Sequence, residues 1–307
     1  MLLTVSLAGI WFFCRFEFRE RVEIYPAGKS VRLYRHITGT VETLPVEEYL
    51  VGVVAAEMPA SFPVEALKAQ AVAARTYGLR RILSGGVVNS PHPGAHLCDD
   101  PRHSQAYLSR KELRRLWGPV EYYRYYYKIK RAVDETAGLV LLYDGQLIDP
   151  VYHASCGGCT ENAADIWKFD VPYLKSVPCP CGESLRPVEV RSFTLAELEK
   201  ALLPKAVAAA SGKSLGIALA GVTSTGRPKE IAVNGVLLPA TVVRERLGLK
   251  STRFSWAVEG DRVLFTTVGY GHGVGLCQYG AKEMAEHGRD FHRILTYYYT
   301  GVQIAKI

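Results

Sequence analysis

A single glutamate, Glu57, interrupts an apolar, alanine-rich run, VVAAEMPASFPVEALKAQAVAARTY. In a helix, Val46, Leu50 and Val53 would form one buried stripe, and the next position on that stripe is Glu57. Pro59 would end this helix, so the carboxylate would lie at the negative end of the helix dipole. Burial and that dipole both raise the pKa of a carboxyl group, as a proton donor near neutral pH requires.

A structural role for Glu57 is the alternative, in which it pairs with Arg75 or Lys68. Both cations belong to a second predicted helix, because Pro63 and Glu65 suit a first helical turn. The pattern of residues alone does not separate the acid from the ion-pair partner.

The elements that would position this glutamate belong to a chain of 307 residues, enough for one large domain or two smaller ones. Its 48% hydrophobic and 22% charged residues are typical of a globular protein. The net charge of +7 favours anionic surroundings such as a cell wall, lipid headgroups or nucleic acid. No nucleic-acid-binding motif accompanies the charge, so we expect no nucleic-acid partner.

The first residues, MLLTVSLAGIWFFCRFEFRER, are almost unbroken apolar sequence from Leu2 to Cys14, followed by arginines. The apolar stretch is shorter than the about 20 residues of a full membrane span. It also lacks the basic start and the small-residue cleavage site of a signal peptide. A chain terminus nevertheless rarely carries so much apolar surface without a partner. We predict that residues 1–20 are an N-terminal membrane anchor or signal segment, with the rest of the chain on the extracytoplasmic, cell-wall side.

The remaining sequence predicts an α+β fold with mixed helices and antiparallel strands. VEIYPAGKSVRLYRHITGTVETLP alternates like short strands, and the two helices around Glu57 follow. KELRRLWGPVEYYRYYYKIKRAVDETAG is helical in pattern, with an interruption at Gly118-Pro119. LVLLYDGQLIDPVYHA predicts a hairpin around Asp144-Gly145, and FSWAVEG and RVLFTTVG predict two late strands.

A glycine-rich segment, GYGHGVGLCQYGA, extends from Gly269 to Ala281 and includes His272, Gln278 and Tyr279. Its five glycines would let the backbone approach a ligand closely. It lacks the Gly-Lys-Ser/Thr ending of a phosphate-binding loop. Taken alone, the segment is more typical of a strand-turn-helix junction in which His272 is merely packed.

Several long segments, in order, closely resemble the stage II sporulation protein D (SpoIID) family, which is related to the LytB amidase enhancers. They are EMPASFPVEALKAQAVAARTY, YHASCGGCTENAADIW followed by VPYLKSV, RERLGLKSTRF, and GYGHGVGLCQYGAKEMAEHG followed by ILTYYYTG. The resemblance extends from about Val41 to the end of the chain. It implies a peptidoglycan lytic transglycosylase in which Glu57 is the catalytic acid. It also implies substrate-binding roles near a glycan cleft for Gln70, Arg75, Tyr77, His153, Ser155, His272, Gln278 and Tyr279.

The chemistry that the resemblance implies needs one carboxylate. Ordinary glycosidases use two, one as acid and the other as base or nucleophile. A lytic transglycosylase cleaves the MurNAc–GlcNAc strand with the sugar's own C6 hydroxyl in place of water, which leaves a 1,6-anhydro-muramyl end. No cofactor is required for this step. The alternative is a non-catalytic, wall-binding enhancer of an N-acetylmuramoyl-L-alanine amidase.

The expected partners are peptidoglycan glycan strands, together with a cell-wall amidase and membrane partners. We place a SpoIID-like catalytic region with the cysteine cluster at residues 21–187. A smaller inserted α/β domain follows at residues 188–250. The C-terminal part of the catalytic core, with the glycine-rich segment, occupies residues 251–307.

Two groups of residues are candidates for a structural zinc. The resemblance implies zinc binding by His92, Cys98 and His103, although Ser104 stands where a further cysteine is expected. The second group is Cys156, Cys159, Cys179 and Cys181, whose two close pairs suit either tetrahedral zinc or two disulfides.

Overall fold

The computed structural model of the chain describes residues 30–84, 92, 94–167, 169–181, 187–203 and 216–307. The predicted anchor at residues 1–20 lies outside these ranges. Within them, no helix has both the length and the apolar character needed to cross a membrane. The architecture is α+β with mainly antiparallel sheets, which confirms the predicted fold class.

Three helices form the centre of the larger core: α1 (Val46–Glu57), α2 (Val64–Leu83) and α3 (Arg110–Glu135). Helix α2 contacts both of the others, and most of its small side chains are buried, including the alanines from Ala66 to Ala74. Small residues around the whole circumference allow neighbours to approach from several sides, so α2 becomes the central helix.

The helix ends follow the prolines and the caps. Helix α1 ends at Glu57, and Met58 already has extended backbone angles before Pro59. Pro63 directly precedes α2, as predicted. The first turn of α3 is closed by a capping box between Ser109 and Glu112. Helix α3 also breaks at Gly118, where φ is 73°.

Two sheets cover the larger core. Strand β1 (Ser30–Arg35) lies between antiparallel β2 (Thr40–Pro45) and parallel β3 (Leu97–Cys98). In the second sheet, β4 (Leu139–Tyr143) lies between β5 (Gln146–Leu147) and β14 (Gln303–Lys306). The predicted hairpin joins β4 to β5, and both of its turn residues have positive φ, as a type I′ turn requires.

One short parallel pair positions the candidate site. Strand β6 (Tyr152–His153) pairs with β13 (Leu276–Cys277), so that Cys277 lies opposite His153. Helix α7 (Gln278–Glu286) begins directly after β13, and α4 (Ala163–Trp167) follows β6. The last helix, α8 (Phe291–Tyr298), packs on α2 and α7. The motifs YHASC and GYGHGVGLCQYGA, which are distant in sequence, thereby lie side by side.

A second hydrophobic core lies in the part of the chain predicted as an inserted domain. Its sheets are β7 (Val188–Thr194) with β11 (Phe254–Glu259) and β12 (Arg262–Val268), and β8 (Ile217–Val222) with β9 (Pro228–Val233) and β10 (Val236–Pro239). Its helices are α5 (Leu195–Leu202) and α6 (Ala240–Leu247). The core extends from Leu198 to Phe265 and so continues past the predicted boundary at residue 250, because β12 pairs with β7.

Candidate active site

Glu57 lies at the C-terminal end of α1, on the wall of a cleft. Its Oε1 accepts a hydrogen bond of 2.7 Å from the backbone N–H of Ala106. Burial raises the pKa of Glu57 to about 7, although the Ala106 N–H and the adjacent Tyr152 hydroxyl favour the ionised form and act in the opposite direction. The carboxyl group can therefore keep its proton up to nearly neutral pH.

The structure excludes both ion pairs considered for Glu57. Arg75 donates to both carboxylate oxygens of Glu47, at 2.9 and 2.6 Å. Lys68 contacts Glu65 and Glu135, at 2.8 and 2.7 Å. Within the described ranges Glu57 forms no ion pair, which leaves burial as the main influence on its pKa.

A chain of polar side chains lies behind Glu57. The Tyr152 hydroxyl donates to Oε1 of Gln105 at 2.8 Å, and Nε2 of Gln105 donates to the Tyr49 hydroxyl at 3.1 Å. Tyr49 and Gln105 are nearly inaccessible to solvent. Each has a partner, so this chain fixes the position of the Tyr152 ring beside the carboxylate.

Two histidines face each other across the pairing of β6 with the glycine-rich segment, with ring centroids 5.4 Å apart. His153 donates from Nδ1 to the Val274 carbonyl at 3.1 Å, which leaves Nε2 as an acceptor. His272 donates from Nε2 to the Tyr152 carbonyl at 3.0 Å and accepts from the Val274 N–H at Nδ1. Burial holds the pKa of His153 well below its usual range and lowers that of His272 to about 4, so both are neutral.

Gly271 makes the close approach of these segments possible. Its φ is +113°, and an added Cβ would lie 2.7 Å from the Cβ of His153. A side chain at Gly271 would therefore displace His153 as well as strain the backbone.

The cleft has a volume of about 700 Å³. Five of the predicted catalytic and substrate-binding residues line it: Glu57, Tyr77, His153, His272 and Gln278. Gln70 lies directly behind it and accepts a hydrogen bond from Gln278 at 3.2 Å. Among the described residues that line the cleft, Glu57 is the only carboxylate.

Besides Gln70, three predicted substrate-binding residues do not line the cleft. The guanidinium of Arg75 is fully buried and also donates to the carbonyls of Leu139 and Val133, so it joins α2 to its neighbours. The backbone of Ser155 pairs with Tyr270, and its side chain is buried. The ring of Tyr279 packs on Phe62 instead, with centroids 5.2 Å apart.

Sequence reasoning missed several residues of the cleft. They are Arg81, Arg102, Gln105, Ala106, Tyr152, Trp167 and Tyr270. Tyr152 and Tyr270 adjoin the histidines that were singled out, and their positions in the same motifs could have indicated them. Gln105 and Ala106 belong to an irregular loop that carries no periodic signal.

The histidine and cysteine residues of the first predicted metal group do lie together. The ligand atoms of His92, Cys98 and His103 are all within 4.8 Å of one another. The donor set of two imidazoles and one thiol suits zinc with an open fourth position. His103 also lines the cleft, so this group borders the candidate active site.

The second predicted group differs from the cluster in the structure. Cys156, Cys179 and Cys181 lie together with Cys277 rather than with Cys159. The turn at Gly157 and Gly158, both with positive φ, directs Cys159 toward Arg253, whose Nη1 is 4.0 Å from its sulfur. The prediction of Cys159 as a fourth member was therefore wrong. The described cysteines form no disulfide.

Comparison with known proteins gives consistent results. A family model described as "Stage II sporulation protein" matches residues 34–143. The stage II sporulation protein D of Bacillus subtilis (strain 168) is 41% identical over 278 residues, which cover 90% of this chain and 79% of that protein. The protein of the same name from Bacillus amyloliquefaciens is 38% identical over 287 residues, with the same coverage of both chains.

A more distant relative is the amidase enhancer of Bacillus subtilis (strain 168). It is 30% identical over 306 aligned positions, which cover 83% of this chain and 40% of that protein. The identity of the first two relatives extends over nearly all of the chain, including both sides of the cleft. The chain therefore belongs to the stage II sporulation protein D family.

Proposed function

We propose that the protein is a peptidoglycan lytic transglycosylase that cleaves MurNAc–GlcNAc strands, and that it acts in sporulation or cell-wall remodelling. The main support is one observation: a single carboxyl group with a pKa of about 7 lies in a cleft that has no second carboxylate among its described residues. A hydrolase of the usual kind needs two carboxylates. A transglycosylase needs one group that first donates and then accepts a proton.

The proposed reaction uses Glu57 twice. Protonated Glu57 donates its proton to the glycosidic oxygen, and the C1–O bond breaks with its electron pair on the leaving sugar. The resulting carboxylate takes the proton of the C6 hydroxyl while O6 attacks C1 of the same residue. The product is a 1,6-anhydro ring, Glu57 is again protonated, and no water is consumed.

The Tyr152 hydroxyl has a hydrogen-bond acceptor whether Glu57 is protonated or ionised. When Glu57 is protonated, the Tyr152 hydroxyl donates to Gln105. When Glu57 is ionised, that hydroxyl can turn its proton toward the carboxylate, which offsets part of the cost of a buried charge. The Ala106 N–H remains in place in both states and orients the carboxyl group.

Other residues of the cleft suit a neutral, hydroxyl-rich ligand. His153 lines the cleft, and its buried Nε2 has no partner among the described residues, so a small shift of the ring would let Nε2 accept a hydrogen bond from a sugar hydroxyl. Gln278 supplies a side-chain amide, and Trp167 and Tyr270 supply aromatic faces. None of these roles requires a metal ion.

The proposed substrate is a cell-wall polymer, so the enzyme would act outside the cytoplasm. The apolar residues at the N-terminus are the candidate anchor, and the net charge of +7 suits an anionic wall. Zinc in the group formed by His92, Cys98 and His103 would be structural and would shape the edge of the cleft beside His103.

The pH dependence of cleavage follows from the raised pKa of Glu57. Bond cleavage needs the protonated acid, so we expect kcat/KM to fall as pH rises through about 7. An acid with the ordinary pKa of about 4.3 would lose its proton far below this range. Initial rates of glycan cleavage between pH 5 and pH 9, measured at constant ionic strength, test this.

Tyr152→Phe provides the matched variant for that profile. It removes a hydrogen bond that favours ionised Glu57, so the alkaline limb of the profile should move to higher pH. Tyr49→Phe removes a hydroxyl from the same polar chain without removing a direct partner of Glu57, and should move the limb less. An unchanged limb in Tyr152→Phe would mean that another group controls it.

A second candidate function is that of an amidase enhancer, which the 30% identical relative of that name favours. Incubation of purified glycan strands with the protein alone distinguishes the transglycosylase from the amidase enhancer. The transglycosylase should shorten the strands without any amidase. Strands that stay intact until an amidase is added, together with faster release of stem peptides, would favour the enhancer.

A further inference from the structure

Four cysteine side chains from distant parts of the chain meet in the interior beside the cleft. They are Cys156, Cys179, Cys181 and Cys277, and each is at least nine-tenths buried. Their sulfur atoms lie within 4.8 Å of one another, and those of Cys156 and Cys181 are 3.7 Å apart. We propose that these four thiols form a structural zinc site, which this chain uses to hold the cleft together.

The sulfur geometry fits one tetrahedral ion. With Zn–S bonds of about 2.3 Å, two sulfur ligands of a tetrahedral zinc are about 3.8 Å apart. The distance between Cys156 and Cys181 already has this value, and each other pair needs a contraction of about 1 Å or less. Two separate disulfides would divide the sulfurs into two bonded pairs, whereas here all four are mutual neighbours.

Three donors lie close to the sulfur atoms and could hold thiolate ligands, although the Cys277 thiol lies 3.7 Å from the Ala154 carbonyl, a contact that metal binding would replace. The backbone N–H groups of Cys156 and Gly280 each donate to the sulfur of Cys277 at 3.4 Å. The Tyr298 hydroxyl lies 3.2 Å from the sulfur of Cys179 and can donate to it. Donors aimed at sulfur stabilise the deprotonated form that binds metal and orient each ligand.

An access route to the cluster is also present. A cavity of about 590 Å³ opens beside Cys179 and is bordered by Pro178, Met284 and Tyr297. Cys179 itself is slightly accessible to solvent. Ligand number, ligand type, hydrogen bonding and access are the features that a zinc site must combine.

The site would join two segments that line the cleft to the segment after α4. Cys156 follows β6 and His153, Cys179 and Cys181 lie in the segment after α4, and Cys277 directly precedes Gln278 of α7. An ion held by all three segments would keep His153 and Gln278 at fixed positions. The inference concerns metal binding and stability, so it stands independently of the proposed reaction.

Zinc analysis of the full-length protein tests the proposal. Cys98→Ser removes a ligand of the other candidate group, so the metal that remains belongs to the four-cysteine site. We expect about one Zn²⁺ per chain in Cys98→Ser. Adding Cys277→Ser should remove it, whereas Cys159→Ser is the matched control and should retain it. Equal loss in both double variants would overturn the assignment.

A second measurement covers the case in which Cys277→Ser does not fold. Zinc is removed from Cys98→Ser under reducing conditions, and Co²⁺ is titrated in. The proposal predicts an intense near-ultraviolet thiolate-to-cobalt band that saturates at about one Co²⁺ per chain. Absence of the band would contradict the proposal. Free thiols are also counted in protein that has not been reduced, after denaturation with a chelator present; a count four below the number of cysteines would likewise contradict it and would indicate two disulfides.

Discussion

Replacement of Glu57 by glutamine should abolish glycan cleavage while the fold is preserved. The amide has nearly the same shape and can still accept the hydrogen bond from Ala106, but it cannot donate a proton to the glycosidic oxygen. Loss of a positioned general acid slows a reaction by about 10²–10⁴-fold. Strand-cleavage rates of Glu57→Gln and of the wild-type protein, at pH 6 and at equal substrate concentration, measure the effect.

Glu48→Gln is the matched control, because Glu48 lies on the same helix but pairs at the surface with Arg110, at 3.0 Å. It should keep nearly full activity. Comparable activity in Glu57→Gln and Glu48→Gln would remove Glu57 from the mechanism. Binding of glycan strands should be similar in both variants, since the proposed role of Glu57 belongs to the chemical step.

The stability of Glu57→Gln gives an independent check on the pKa. A carboxyl group whose pKa is raised to about 7 in the folded state binds more protons there than in the unfolded chain. Wild-type stability should therefore fall between about pH 4.5 and pH 7 relative to that of the variant. Across this range the difference in unfolding free energy should change by about 1–2 kcal/mol in favour of the variant, after allowance for solvent screening of a partly exposed group.

Arg227→Met should cause the largest loss of stability. Arg227 Nε lies 2.8 Å from Glu161, and both side chains are almost completely buried. Arg227 also donates to the carbonyls of Cys156 and Cys159. Removal of one member of a buried ion pair leaves the other charge uncompensated and costs about 3–5 kcal/mol. Urea unfolding of both proteins at pH 7 measures the change.

Arg253→Met is the control for this effect. Arg253 donates to the Gly157 carbonyl at 2.9 Å in the same loop, but it is partly exposed and pairs with no buried carboxylate in the part of the chain that the structure describes. Its loss should cost about 0.5–1.5 kcal/mol, the value of one hydrogen bond. Equal losses of unfolding free energy in the two variants would show that the buried ion pair stabilises the fold no more than a single partly exposed hydrogen bond. Glu161→Gln combined with Arg227→Met should recover part of the lost stability, because neither position of this pair then carries a charge.

Features that depend on local sequence were predicted correctly. The apolar spacing and Pro59 together indicated that α1 ends at Glu57, and the structure confirms this. The hairpin around Asp144 and Gly145 and the break at Gly118 were also predicted, because turn geometry depends mainly on neighbouring residues. Predicting that Glu57 lies at the buried end of α1 required only the periodicity of one helix.

Features that depend on contacts between distant segments could not be predicted in this way. Cys277 joins the cysteine cluster because β13 pairs with β6, and nothing in the spacing of the cysteines indicates that pairing. Arg75 is within helix α2 as expected, but the way α2 crosses α1 decides that its partner is Glu47. The contact from Ala106 to Glu57 likewise comes from a loop without regular structure.

The central claim is that the C6 hydroxyl of the sugar, and not water, attacks C1. Digestion of glycan strands in ¹⁸O-labelled water, followed by mass spectrometry of the new ends, tests it most directly. The proposed transglycosylation predicts 1,6-anhydro-muramyl ends that carry no label. Reducing ends that contain ¹⁸O would contradict it, because they would show that water, and not the C6 hydroxyl, attacks C1.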